Sequence, residues 1–281
     1  MNTRLNILCI LVLLLAVLPA HAQKKFQESR EFGIMAGTSY YIGDLNPYRH
    51  FGGELSVGAG AMYRENLNKR WSIKGQLFYG MIAASDADSK DAWAQNRNLS
   101  FRNEILEGSC TVELNYRNYQ IGNSRDRFTP YLFMGLGFYS HKPQAEYLGR
   151  WYELQPLGTE GQGTTGGDDP YALNGVSIPF GVGMKLNLFS IVALSVEWGM
   201  RKTYSDYLDD VSGAYADPAV LADESGPLTV IFADRSLSYP EGLSSYAGLA
   251  RGDSGRRDWF NFTTVTLSIR LGKMPTTCWN Q

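Results

Sequence analysis

Histidine and cysteine are nearly missing from this chain, with three of each among 281 residues. Cys9 and His21 fall in an N-terminal segment expected to be removed, so only His50, His141, Cys110 and Cys278 remain. Two cysteines so far apart make neither a disulfide framework nor a zinc site. Hydrolases and acyltransferases built on a histidine have little to work with here. Charge of one sign is also lacking. The 26 basic and 28 acidic residues leave a formal charge of −2, so no nucleic acid or other polyanionic partner is expected. After residues 5–18 no apolar run approaches the roughly 20 residues of a spanning helix. Helical periodicity is scarce as well. What the chain does have is 30 Gly, 17 Tyr, 13 Phe and 6 Trp, a composition that suits β-structure.

Arg4, the apolar run from Leu5 to Leu18 and the small residues of Ala20-His21-Ala22 predict a secretory signal peptide over residues 1–22, with cleavage near Ala22. Cys9 lies inside the apolar run rather than at its end, which excludes a lipoprotein signal. The remainder divides into a lead-in (23–30), a barrel (31–272) and a C-terminal tail (273–281).

Within the barrel segment, apolar residues alternate with small or polar ones in eight stretches. The segment 191–201 is among the clearest. Val192, Leu194, Val196, Trp198 and Met200 alternate with Ala193, Ser195, Glu197, Gly199 and Arg201. A strand places successive side chains on opposite faces, so this stretch has one apolar face and one bearing a carboxylate and a guanidinium. Similar alternation predicts strands near 32–41, 54–63, 71–81, 106–116, 131–139, 176–188 and 264–271. The connections near 66–70, 120–128 and 188–190 are short. Those near 43–53, 83–100, 141–173 and 204–258 are long.

Eight such strands fit either a water-soluble barrel or a membrane barrel. The polar faces are rich in Gly, Ser and Thr with few charges, whereas solvent-facing strands carry many. Alternating short and long connections are the asymmetry of outer-membrane barrels. Aromatics near strand ends (Tyr40, Tyr41, Tyr63, Trp71, Tyr79, Tyr116, Tyr131, Tyr139, Trp259 and Phe260) are expected to form interfacial girdles. The fold class is therefore all-β, an eight-stranded antiparallel up-and-down transmembrane barrel of a Gram-negative outer membrane, with long extracellular loops. Its lumen face carries Glu54, Glu107, Glu113 and Glu197 against Lys74, Lys185, Arg201 and Arg270. An eight-stranded barrel is just wide enough for its own side chains, so these charges are expected to pair and no diffusion pore to remain.

Other motifs are weak. The Gly-rich stretch 158–169 lacks the Lys-Ser/Thr ending of a phosphate loop and reads as a flexible outer loop. Asp206, Asp209 and Asp210 lack EF-hand spacing, and Tyr204 and Tyr207 are expected to pack their loop onto the rim. His50 and His141 read as interfacial or solvated. Arg251-Gly252-Asp253 matches an adhesion tripeptide, a short match. Cys110 reads as a small lipid-facing hydrophobe. No catalytic residue, metal, cofactor or small-molecule substrate is expected.

The segments GTSYYIGDLNP (37–47), 176–183, WYELQPLGTEGQG (151–163), ADRS (233–236) and above all EWGMRKTYSDYLDDVSG (197–213) resemble the PorG-like outer-membrane β-barrels of Bacteroidetes. The resemblance spans nearly the whole mature chain. It implies an outer-membrane component of the type IX secretion system, with periplasmic ring proteins of the PorK and PorN kind as partners. A docking role then falls to the periplasmic turns and to the tail with Lys273, Cys278 and Trp279. The competing expectation is a stand-alone surface barrel acting in adhesion or membrane integrity.

Overall fold

The computed structural model describes residues 28–51 and 56–272. Among them run nine strands: β1 (Ser29–Ile42), β2 (Ser56–Asn66), β3 (Trp71–Ser85), β4 (Ser100–Asn115), β5 (Phe128–Tyr147), β6 (Arg150–Glu153), β7 (Asn174–Asn187), β8 (Val192–Thr203) and β9 (Trp259–Leu271). β6 only extends β5 as a hairpin. The other eight pair antiparallel in chain order, and β9 returns to β1, so the sheet closes on itself. No described helix is long and apolar enough to cross a membrane. The signal segment, most of the lead-in, Glu54 and the tail with Lys273, Cys278 and Trp279 lie outside the described residues.

The exterior is apolar. Along β5, Leu132, Met134, Leu136 and Phe138 point outward and are 59–70% exposed. Ile34, Val57, Leu77, Val112, Val182 and Leu267 continue the band around the barrel. An uninterrupted apolar belt of this extent far exceeds the patches that a soluble monomer leaves bare. From Phe128 to Phe138 the belt is about 26 Å tall, at ~3.4 Å per residue and ~40° tilt, which matches the hydrocarbon layer that such barrels span.

Strand boundaries differ most from the expected ones at the long-loop end, where β9 starts at Trp259 rather than near 264. β4 begins at Ser100 rather than near 106, β3 reaches Ser85, and β5 runs on to Tyr147. Beyond the belt the outward residues become polar (Arg102 and Glu104 on β4; Ser140, Lys142 and Glu146 on β5), while Phe101 and Ile105 point inward. The polarity of the two faces inverts where hydrocarbon gives way to water. An alternation defined by outward apolar residues therefore fades there, although the strands continue.

This inversion gives the interior two layers. Near the short turns it is polar. Toward the long loops it becomes an apolar core of Met35, Tyr41, Met62, Phe78, Ile82, Phe101, Ile105, Tyr139, Phe260 and Phe262. Tyr41, Tyr131, Tyr139 and Phe260 thus point inward and do not belong to an interfacial girdle. Tyr63, Trp71, Tyr79 and Tyr116 do face outward. Inward glycines make room for these rings. A β-carbon at Gly183 would stand 2.4 Å from the Tyr131 ring, and one at Gly181 2.9 Å from that of Phe133.

Candidate functional site: a plugged lumen and an ordered cap

The lower lumen holds a continuous ionic network. Arg64 of β2 reaches Glu113 of β4 at 2.9 Å and Glu31 of β1 at 3.1 Å. Glu113 also takes Lys185 at 2.6 Å and Lys74 at 3.6 Å. Lys74 in turn bonds Glu197 of β8, which accepts from the Tyr131 hydroxyl at 2.8 Å. β3 and β8 are opposite staves of the eight-stranded ring, so the Lys74–Glu197 bridge crosses the full width of the bore. One level up, Arg201 pairs with Glu107 at 3.3 Å, and Ser177 donates to the same carboxylate at 2.9 Å. Arg270 reaches the Ile121 carbonyl at 2.8 Å. Tyr119 and Ile121 of the β4–β5 turn fold under the barrel against Ala193 and close its lower mouth.

Glu31 and Arg64 were absent from the set expected from sequence. Each stands one step outside the apolar alternation, before Phe32 and after Tyr63. Extending the inward register of β1 and β2 by a single pair brings in both.

At the opposite end the long loops fold into a cap. The segment YSDYLDDVSG (204–213) turns back into the mouth and buries Leu208 and Val211 against the apolar core. Tyr207 stacks on Tyr171 with ring centres 4.5 Å apart, whereas Tyr204 is exposed and packs nothing onto the rim. Asp206 accepts from Ser212 at 2.7 Å, and Asp210 from Thr159 at 2.5 Å and Tyr171 at 2.6 Å. Asp209 accepts from the Val211 amide at 3.1 Å. These carboxylates are used within the fold, and no cluster able to hold a metal occurs among the described residues.

Two arginines clasp the cap, and neither was singled out from sequence for this role. Arg97 ends α1 (Ala92–Arg97), forks onto Asp86 with two contacts of 2.7 Å, and donates to the Arg251 carbonyl at 2.7 Å. Arg251 follows α2 (Pro218–Glu224) and α3 (Pro227–Ala233) in the same long connection. It reaches Glu160 at 3.1 Å and the carbonyls of Asp210 and Ala233 at 2.5 and 3.0 Å. Glu160 also accepts the Ser212 and Gly213 amides. The Gly-rich stretch 158–169 is therefore an integral part of the cap and not a free loop. Arg251 is buried, which takes the Arg251-Gly252-Asp253 tripeptide out of contention as an adhesion motif.

The histidines also differ from expectation. His141 is buried between Asn103 at 3.1 Å and the Ala172 carbonyl at 3.2 Å, and is not solvated. His50 lies against Tyr40. Cys110 is exposed on the outward face of β4.

The Tyr41 hydroxyl lies 2.6 Å from Asp209 and 2.7 Å from Asp258. A phenol has one proton to give, so a proton on one carboxyl best satisfies the second short contact. Burial drives both aspartates well above the carboxylate range, and their mutual repulsion adds to this for Asp209. Burial also lifts Asp206 and Asp210 to about 6, despite the opposing Arg251 charge at Asp210. Unfolded aspartates titrate near ~4, so between roughly pH 4 and 6 the folded cap binds protons that the open chain releases. The stabilisation is complete below that window and is lost as pH rises through 6. Hydrogen exchange of amides 204–213, corrected for intrinsic rate, is expected to be several-fold slower at pH 5 than at pH 7. Equal protection at the two values would contradict this assignment.

Residues 5–219 match the model of a family described as Domain of unknown function (DUF6089). No curated protein matches the sequence. Solved structures with a similar course of the chain include Ail, the attachment invasion locus protein of Yersinia pestis, determined with the heparin analogue sucrose octasulfate. It shows 8% identity, covers 87% of this chain and 99% of its own, and gives a TM-score of 0.41. Neisserial surface protein A (6% identity, 87% and 99% coverage, TM-score 0.40) and OprG of Pseudomonas aeruginosa (8%, 87% and 98%, 0.37) are similar at the same level.

Proposed function

The chain belongs to the DUF6089 family, and on that premise we propose that it is an outer-membrane anchor of a type IX secretion machine. In this reading the long-loop cap faces the medium and the short turns face the periplasm. The short turns, with the tail 273–281, dock a ring of PorK- and PorN-like proteins. The observation that carries the anchoring role is the Lys74–Glu197 bridge across the bore, backed by Arg64, Glu113 and Lys185. A lumen crossed by salt bridges conducts no solute, so the barrel acts through its position and its two ends. The link to secretion rests on the resemblance of segments 37–47 and 197–213.

A stand-alone surface barrel is the second reading, and the ordered cap favours it. A cleft of about 740 Å³ opens between the β1–β2 loop and α1, edged by Tyr48 and Trp93. Deleting the gene and measuring cargo secretion, together with co-purification from the tagged strain, separates the two. Lost secretion and recovery of ring proteins support the anchor. Normal secretion with no ring protein recovered leaves the surface role.

A further inference from the structure

The arginines of this protein are not all treated alike. Among the described residues Arg30, Arg64, Arg97, Arg201 and Arg251 each sit on a carboxylate. Of the described arginines that figure in no such pair, Arg70, Arg117, Arg125 and Arg127 line one depression of about 510 Å³ beside the β4–β5 turn. The one carboxylate there, Asp126, is engaged by Lys69 at 2.9 Å. Arg70 and Arg127 each spend a donor on a neutral carbonyl, those of Tyr116 and Asn187. A guanidinium has five N–H donors, so both keep others to offer. Four arginines thus line the depression against one carboxylate that Lys69 already holds, and this excess of positive charge suits an anion.

The position of the depression identifies the anion. Tyr116 and Phe128 line it too, and both are outward residues where the apolar belt ends, below Leu114 and Leu132. A ligand seated there has its charged part on the arginines and an apolar face of β4 and β5 directly above. Guanidinium forks match phosphate oxygens in geometry and charge. We propose that this depression binds the phosphate of an anionic phospholipid of the periplasmic leaflet, with the acyl chains lying along β4 and β5. The inference rests on the membrane orientation given above and not on the secretion role.

The test uses the full mature chain in detergent with native mass spectrometry and added phosphatidylglycerol or phosphatidylcholine. Wild type is expected to retain phosphatidylglycerol at least tenfold better than R117Q/R125Q/R127Q, while both hold phosphatidylcholine equally poorly. Equal retention of phosphatidylglycerol overturns the site. Complete displacement of the lipid by millimolar inorganic phosphate also overturns it, in favour of a free-phosphate site. If the variant keeps the lipid but no longer recovers ring proteins, the patch is a protein contact and the lipid proposal fails. Heat-modifiable gel mobility reports barrel folding independently. Should the triple variant not fold, R125Q alone is expected to lower retention several-fold. A wild-type chain that inserts into no bilayer fails the barrel reading itself, a result separable from equal retention by a folded barrel.

Discussion

Replacing Glu113 with alanine is expected to lower the unfolding free energy of the barrel by about 3–5 kcal/mol, the range for stripping one partner from a buried ion pair. Glu113 is the common neighbour of Arg64, Lys74 and Lys185. All four residues are 0–1% exposed, so its removal leaves three buried cations without their shared partner. Lys74 retains Glu197, and Arg64 retains Glu31. Lys185 then has only the Asn115 side-chain oxygen at 3.0 Å and the faces of Tyr119 and Tyr131. The double variant Glu113→Ala/Lys185→Met is therefore expected to recover part of the loss, because it removes the orphaned charge. Urea titration in lipid vesicles, followed by tryptophan fluorescence and gel mobility, measures both. A change below about 0.5 kcal/mol, the range of ordinary surface substitutions, would mean that the network bears no stability.

The second large effect belongs to Arg251. Its guanidinium joins the Gly-rich stretch through Glu160, the YSDYLDDVSG segment through Asp210 and the end of α3 through Ala233. Arg251→Ala removes a cation shared by two carboxylates and leaves the Asp210 and Ala233 carbonyls without that donor. A local loss of about 3–5 kcal/mol corresponds to opening of the cap at least a hundredfold more often. Limited proteolysis within 204–258 is expected to accelerate to that degree, while the barrel strands stay resistant. Arg251→Lys is not expected to rescue it, since an ammonium cannot serve several acceptors spread along a planar fork. Unchanged cleavage would show that the cap is held chiefly by its apolar contacts, Leu208 and Val211 among them.

These two clusters differ in how far sequence reveals them. Glu113, Lys185 and Lys74 are legible because they sit between apolar neighbours in period-two stretches, and the parity of a strand places them in the lumen. Arg64 and Glu31 obey the same parity but lie just past the last outward aromatic, where the pattern offers no apolar flank. Phe78, Ile82, Phe101 and Ile105 contradict a simple rule of polar lumen and apolar exterior. Phe101 and Ile105 stand at the height of the polar outward residues Arg102 and Glu104, where the strands behave as in a soluble barrel, while Phe78 lies between the outward Leu77 and Tyr79 and fills the upper bore. Of the cap, only the packing of Tyr207 is legible. Arg97 meets Arg251 across 154 positions, and Tyr41 meets Asp258 across 217. No local period reports such contacts. The same limit explains why a buried Arg251 reads in sequence as part of an exposed tripeptide, and a buried His141 as a solvated side chain.

The central claim is that one face of these strands meets hydrocarbon and that the polarity inverts at a definite height. Nitroxide labels placed singly along β5, in the full chain reconstituted in lipid, test it directly. The outward positions 132, 134, 136 and 138 are expected to be accessible to oxygen and shielded from a water-soluble nickel chelate. Positions 140, 142 and 146 are expected to show the reverse, and 133 and 139 to be shielded from both. Equal access of the nickel chelate to every outward position from 132 to 146 would contradict the account.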